Sequence, residues 1–251
     1  MDVKAETMPV CRPYALGRWY DTRFARCNAE EAEARFWAGE GLPGDSVHWK
    51  TMNAENPRTA LLNLLARISF RLGQFKLSSG GTSDYYIDCR TTTLHAEGAR
   101  LTGLAILDLL RERQLRPAAV GGLTMGADPV VSAVAIASAE RAQLQAGAGL
   151  IHGFLVRKAE KAHGTGRRIE GFCEPGAAVA IVDDVCTTGA STIAAIEAAR
   201  EAGMQVIAAV CLVEREEANG RPALEAACQG APFLRLFTAN EVRAAHVGQS
   251  R

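Results

Sequence analysis

Apolar positions change their period several times along the chain, and each change marks an element. From Asn56 to Leu72 the residues Leu61, Leu62, Leu64, Leu65, Ile68 and Leu72 recur at helical spacing, with Asn56-Pro57 as a start signal and Gly73 as a stop; this predicts an amphipathic helix. Two short extended pieces follow, Phe75 to Leu77 and Tyr85 to Asp88, around a Ser-Ser-Gly-Gly turn, which predicts a hairpin. Successive strand residues face opposite ways, so one of Tyr85 and Tyr86 can pack inward while the other covers a planar ligand. A helix is predicted over Ala99 to Arg113, with Leu101, Leu104, Ala105 and Leu109 on one side, then a short strand from Pro117 ending in Gly121-Gly122, then an apolar helix from Val130 to Ala139. Ile151 to Val156 reads as the next strand. Val179 to Val182 and Val206 to Val213 are apolar without alternation, as strands covered on both faces are. Helices are predicted at Thr192 to Ala202, stopped by Gly203, at Ala223 to Gln229 and at Thr238 to Ala245, with a strand at Phe233 to Phe237 between the last two. Alternating strands and helices predict an α/β fold in which a parallel sheet is flanked by helices and ligands bind at the carboxyl ends of the strands.

Residues 1–52 break this rhythm. They hold all three tryptophans and turn-rich stretches such as Gly41-Leu42-Pro43-Gly44, and nothing in them looks like a site. Two readings stand side by side: an irregular extension, or a misplaced start with Met52 as the true one. Residues 53–251 are read as one domain, and 251 residues suffice for one sizeable α/β domain plus an appendage.

The charge pattern narrows the functional classes. A formal net charge of zero does not indicate a nucleic-acid binder. Seven cysteines without a Cys-x-x-Cys support neither a disulfide framework nor a zinc ribbon and read as reduced thiols in a cytosol, and five histidines show no metal-ligand spacing. Without a signal-like start or a membrane-length apolar run, the expectation is a soluble, cytoplasmic protein with no membrane partner.

The chemistry concentrates after the strand at Val179 to Val182. Adjacent carboxylates Asp183 and Asp184 repel one another and resist burial, which places them at the open carboxyl end of that strand. Thr187, Thr188, Gly189, Ala190 and Ser191 then form a small hydroxyl-rich turn opening a helix, whose free N–H groups suit a phosphate. A sugar phosphate fits the row: hydroxyls on the acids, phosphate in the turn. Upstream, Arg157-Lys158-Ala-Glu-Lys161-Ala-His163-Gly164 opens a glycine-rich basic loop over about 157–171, expected to stay mobile until a polyanion arrives. There is no Walker A sequence and no strand-linked Gly-x-Gly-x-x-Gly.

The apolar strand followed by Asp-Asp and Thr-Thr-Gly resembles the phosphoribosyl pyrophosphate (PRPP) motif of type I phosphoribosyltransferases. Phe-x-Leu-x-Ser-Gly-x-x-Ser-x-Tyr-Tyr resembles the hood of an orotate phosphoribosyltransferase, and Arg-Lys-x-x-Lys-x-His-Gly resembles its flexible catalytic loop. Gly-Gly-Leu-Thr-x-Gly-Ala-Asp-Pro is similar to the family's pyrophosphate loop, with Thr124-Met125 where some members have Tyr-Lys, and Ser78 stands where many have a hood lysine. The resemblance runs from about residue 56 to the end. It implies the type I phosphoribosyltransferase fold with a small N-terminal hood at about 73–90, and the transfer of 5-phosphoribosyl from PRPP to orotate with magnesium as cofactor, no residue being assigned to hold the metal. It implies Lys161, Lys158 and Asp184 in catalysis. PRPP would be bound by Arg157, Lys158, Lys161, His163, Asp183, Asp184, Val185, Cys186, Thr187, Thr188, Gly189, Ala190 and Ser191, and orotate by Tyr85, Tyr86, Thr187 and Arg215. It further implies a homodimer sharing the basic loop across subunits. Two alternatives remain: a PRPP-sensing regulator, which need not keep the basic loop, and a phosphoribosyltransferase for another base, which would lack the Tyr-Tyr hood and Arg215.

Overall fold

The computed structural model describes residues 56–76, 82–145, 149–158 and 168–249. The first helix, α1 (Pro57–Ile68), begins as the sequence predicts: Asn56 caps it by accepting the Arg58 N–H at 2.9 Å, and Pro57 occupies the first turn. It ends one turn earlier than Leu72. Ser69 closes it, and the chain turns directly into the antiparallel hairpin β1 (Phe70–Lys76) and β2 (Thr82–Ile87). Leu72 is therefore a hairpin residue with its side chain half exposed, although it fits the helical spacing by chance. The hairpin thus starts at Phe70, and its Ser-Ser-Gly-Gly turn lies outside the described residues.

A short helix α2 (Arg90–Thr93) leads to α3 (Ala96–Glu112), which starts earlier than Ala99 because the His95 ring accepts the Gly98 N–H. Then come β3 (Ala119–Leu123), α4 (Ala127–Leu144), β4 (His152–Val156), β5 (Ile169–Gly171), β6 (Ala178–Cys186), α5 (Ala190–Glu201), β7 (Gln205–Glu214), α6 (Arg221–Cys228), β8 (Phe233–Thr238) and α7 (Ala239–Gln249). The six-stranded sheet has the order β5-β4-β3-β6-β7-β8. All its pairings are parallel except β4 with β5, so the expected parallel sheet carries one antiparallel edge strand. That strand is made by Ile169–Gly171, which the sequence reading placed in the basic loop; three residues are too few to show a period.

The central strands explain their own lack of alternation. In β6, Ala180 and Val182 pack towards α1, α3, α4 and α7, while Val179 and Ile181 pack towards α5 and α6. Both faces are buried, so every position is apolar until the strand emerges. Gly203, with φ of 79°, ends α5 as predicted. Glu214 is the exception at the end of β7: its side chain is 3% exposed and is bound by Arg221 at 2.5 and 2.9 Å and by Arg235 at 2.5 Å. Against the desolvation of burial, these two guanidinium groups hold its carboxyl below the usual range.

The chain runs from β3 to β4 and β5 on one side, then crosses back to place β6 on the other side of β3. The reversal between β3 and β6 is a topological switch point, where crevices open outside the carboxyl ends of strands. Asp183 and Asp184 stand there. No helix among the described residues is long and apolar enough to cross a membrane.

Candidate active site

At the end of β6, Asp183 is 6% exposed. Its Oδ2 accepts the Thr192 hydroxyl at 2.8 Å and its Oδ1 the Asp184 N–H at 3.0 Å; Asp184 Oδ1 accepts the Val185 N–H at 2.9 Å. These bonds leave lone pairs on both carboxylates for a ligand's hydroxyls. Burial, with the neighbouring charge of Asp184 adding to it, pushes Asp183 up to about 7. Asp184 is raised by the same desolvation, against the pull of the Val185 N–H and of Arg90. The facing loop between β3 and α4 has to be bare to fit against the pair, since a Cβ on Gly126 would lie 2.4 Å from Asp184 Oδ1; within β3, one on Gly122 would lie 2.1 Å from the Val182 carbonyl. In that loop the Thr124–Met125 peptide is cis.

The turn after β6 is built for a close approach of backbone to ligand. Gly189 takes φ of 82°, and a Cβ there would meet Leu224 at 2.6 Å, so both its conformation and its surroundings demand glycine. No side chain caps α5, which leaves first-turn N–H groups facing outward beside the exposed Thr188, Ala190 and Ser191. Cys186 is buried in the core, where its thiol donates to the Thr187 carbonyl at 3.9 Å, and Val185 packs against the other core face.

Beside it lies a second group built from distant parts of the chain. Arg215, just past β7, donates its main-chain N–H to the Cys186 carbonyl at 2.8 Å, which fixes it next to Thr187. Its guanidinium lies over the Tyr85 ring at 4.6 Å, and Tyr85 stacks on Phe70 at 5.2 Å and 16°. Arg215 Nε reaches the Tyr85 hydroxyl at 2.9 Å and Glu217 at 3.0 Å, and Nη2 reaches the Ser83 hydroxyl at 3.3 Å. Tyr85 donates its own hydroxyl to Glu217. Burial, then the Glu217 bond, pushes the phenol up to about 12, so Tyr85 stays protonated. Tyr86 faces the other way, 44% exposed beside Phe75. The alternation predicted for the two tyrosines is what the hairpin produces.

The sequence of the chain is 40% identical over 188 residues to the orotate phosphoribosyltransferase of Aquifex aeolicus, an overlap covering 74% of this chain and 97% of that one. It is 42% identical over 170 residues to the orotate phosphoribosyltransferase of Streptomyces coelicolor, covering 68% and 88%. The chain belongs to the orotate phosphoribosyltransferase family. No family model matches it. Among solved structures it is similar to Mycobacterium tuberculosis H37Rv orotate phosphoribosyltransferase in complex with Fe(III) dicitrate, with a TM-score of 0.62, 34% identity and coverage of 74% and 98%. The same protein in complex with 5-phospho-alpha-D-ribosyl 1-diphosphate gives 0.58 and 31%, with the same coverage.

The chain brings most of the residues predicted from its sequence to one end of the sheet. Arg157 and Lys158 follow β4, whose last residue, Val156, accepts the Thr124 N–H at 2.9 Å, so the start of the basic loop adjoins the loop after β3. Arg157 pairs with Glu170 at 3.0 Å across the β4–β5 edge, and Lys158 is exposed. Lys161 and His163 lie outside the described residues. Sequence reasoning missed Ser83 and Glu217, whose contacts with Arg215 and Tyr85 respectively span 132 residues, and also Arg90. Arg90 is held by both oxygens of Asp88 at 2.8 Å, and its charge acts on Asp184. The signal for Arg90 was its place directly after the Tyr-Tyr strand; Ser83 and Glu217 had none that spacing reveals.

Proposed function

We propose that the protein transfers the 5-phosphoribosyl group of PRPP to a ring nitrogen of orotate, giving orotidine 5′-monophosphate and pyrophosphate, a cytoplasmic step of de novo pyrimidine biosynthesis. The observation that carries this reading is the Arg215 bridge: its backbone is bonded to Cys186 beside the phosphate turn, and its side chain to Tyr85 of the hood. A planar cation suited to paired oxygens therefore stands next to a cradle suited to a sugar phosphate.

In this reading Asp183 and Asp184 accept the ribose hydroxyls, and the turn from Thr187 to Ser191 holds the 5′-phosphate. Arg215, with Thr187 and Tyr85, frames orotate, while Tyr86, expected there too, faces away from Arg215 beside Phe75. Arg157, Lys158, Lys161 and His163 take the pyrophosphate. Positive charge builds on the ribose and negative charge on the leaving group, so catalysis rests on placement and on fixed charges. Two carboxylates with spare lone pairs at the sugar site fit a magnesium ion held largely by substrate oxygens, and no group of three or more metal-ligating side chains gathers among the described residues. When bound, magnesium would neutralise pyrophosphate charge. A homodimer sharing the basic loop is part of the proposal; large apolar side chains left in water at Met125, Ile136 and Leu144, at the head of α4 and along it, support self-association.

We expect turnover of orotate with PRPP and magnesium, and none of adenine, guanine or uracil. Uracil lacks the carboxylate, which would leave Arg215 without its partner at a cost greater than one lost contact. Comparable rates with uracil and orotate would overturn this assignment of the base site. We also propose that residues 53–251 form the catalytic domain, since 74% of the chain spans nearly the whole Aquifex relative. A truncation beginning at Met52 should fold and keep its rate; a soluble but inactive product would make the first segment part of the machinery.

A further inference from the structure

Three acids surround Arg215 in the sequence, and the structure gives them different work. Glu214 is buried between Arg221 and Arg235. Glu216 turns to Arg235 at 3.2 Å. Only Glu217 turns to Arg215, and the same carboxylate oxygen takes the Tyr85 hydroxyl from the hood. The guanidinium has five N–H donors. Nε–H is shared between the Tyr85 hydroxyl and Glu217, and one Nη2 hydrogen goes to Ser83. Three donors are left on the far edge, two on Nη1 and one on Nη2, in the geometry that grips a carboxylate with two parallel bonds.

We propose that Glu217 is a positioning residue for base recognition: it locks the Tyr85 hydroxyl and the Arg215 Nε edge together, so that the far edge of the guanidinium meets the orotate carboxylate already aligned. This rests on the proposed orotate activity. Removing Glu217 has two opposed effects. It leaves Arg215 with less charge compensation, which would draw a carboxylate more strongly. It also frees the guanidinium to rotate and strips the buried phenol of its acceptor. Glu217 is half exposed, so the first effect is screened by water and the second dominates.

The test compares Glu217→Ala, Glu217→Gln and the control Glu216→Ala in the full chain, measuring KM for orotate, KM for PRPP, kcat and thermal melting. For Glu217→Ala we expect KM for orotate to rise about tenfold, with KM for PRPP within about twofold and a smaller change in kcat. Discrimination against uracil should fall with it. Glu217→Gln keeps an oxygen acceptor without the charge and should show an intermediate rise, about threefold, while Glu216→Ala stays at the wild-type value. An unchanged or lowered KM for orotate in Glu217→Ala overturns the role. So does a loss shared equally by PRPP and orotate with a lower melting temperature, which would mark Glu217 as a general structural contact. Failure of the wild-type protein to use orotate refutes the proposed function and this role together; wild-type turnover with an indifferent Glu217→Ala refutes the role alone.

Discussion

Asp183→Asn should nearly abolish turnover and yet make the unliganded protein more resistant to heat above neutral pH. The carboxylate is 6% exposed, and its ordinary value of 3.8 is raised to about 7 chiefly by desolvation. Between those two values the folded protein holds a proton that the unfolded chain has released. The stability linked to it is complete below about 3.8 and is lost as pH rises through about 7. Asparagine has no such dependence. It can keep the local bonds, its oxygen accepting the Asp184 N–H and its amide donating to the Thr192 hydroxyl, which rotates to accept. The melting advantage of the variant should therefore appear at pH 8 and shrink towards pH 4. Activity moves the opposite way. Loss of one preorganised group that stabilises developing charge costs about 10²- to 10³-fold in kcat. Paired melting curves and initial rates at pH 5 and 8 check both signs; a variant melting below wild type at pH 8 would show that burying the Asp183 carboxylate does not cost the folded protein stability.

The second large effect concerns the basic loop. If Lys161 of one subunit serves Asp184 of the other, then Lys161→Ala and Asp184→Asn proteins, each nearly inactive, should restore one another when subunits exchange. A mixed dimer has one site with both residues intact and one with both lost. Random exchange makes about half the dimers mixed, so about a quarter of wild-type activity should return. A loop acting within its own subunit leaves every site damaged. No recovery, with mixed dimers demonstrated by mass, would refute action across the interface and leave a role for Lys161 in its own subunit standing.

What could be read in the sequence was whatever local order controls. The acid pair, the Thr-Thr-Gly turn and the unbroken strand before them are contiguous, and burial on both faces of β6 explains each apolar position there. Asn56-Pro57 and Gly203 gave true helix ends because capping is local. Leu72 misled because a helical period continues by chance into a strand, and Ile169–Gly171 was overlooked because its pairing with β4 is set by a neighbour and not by its own pattern. The proposed base site was legible only in part. Tyr85, Tyr86 and Arg215 stood out by resemblance, whereas Ser83 and Glu217 enter through side-chain contacts between the hood and the end of β7, which no spacing along the chain encodes.

The account stands most directly on one assay, in which orotate's ultraviolet absorbance is followed with the full chain, PRPP and magnesium while released pyrophosphate is measured in the same sample. It predicts a fall in orotate matched one for one by pyrophosphate, and neither change when PRPP is omitted. Pyrophosphate release with another base but not with orotate would contradict the assignment of Tyr85, Arg215 and Glu217 to an orotate site. Neither change, from folded protein that binds PRPP, would contradict the transferase itself.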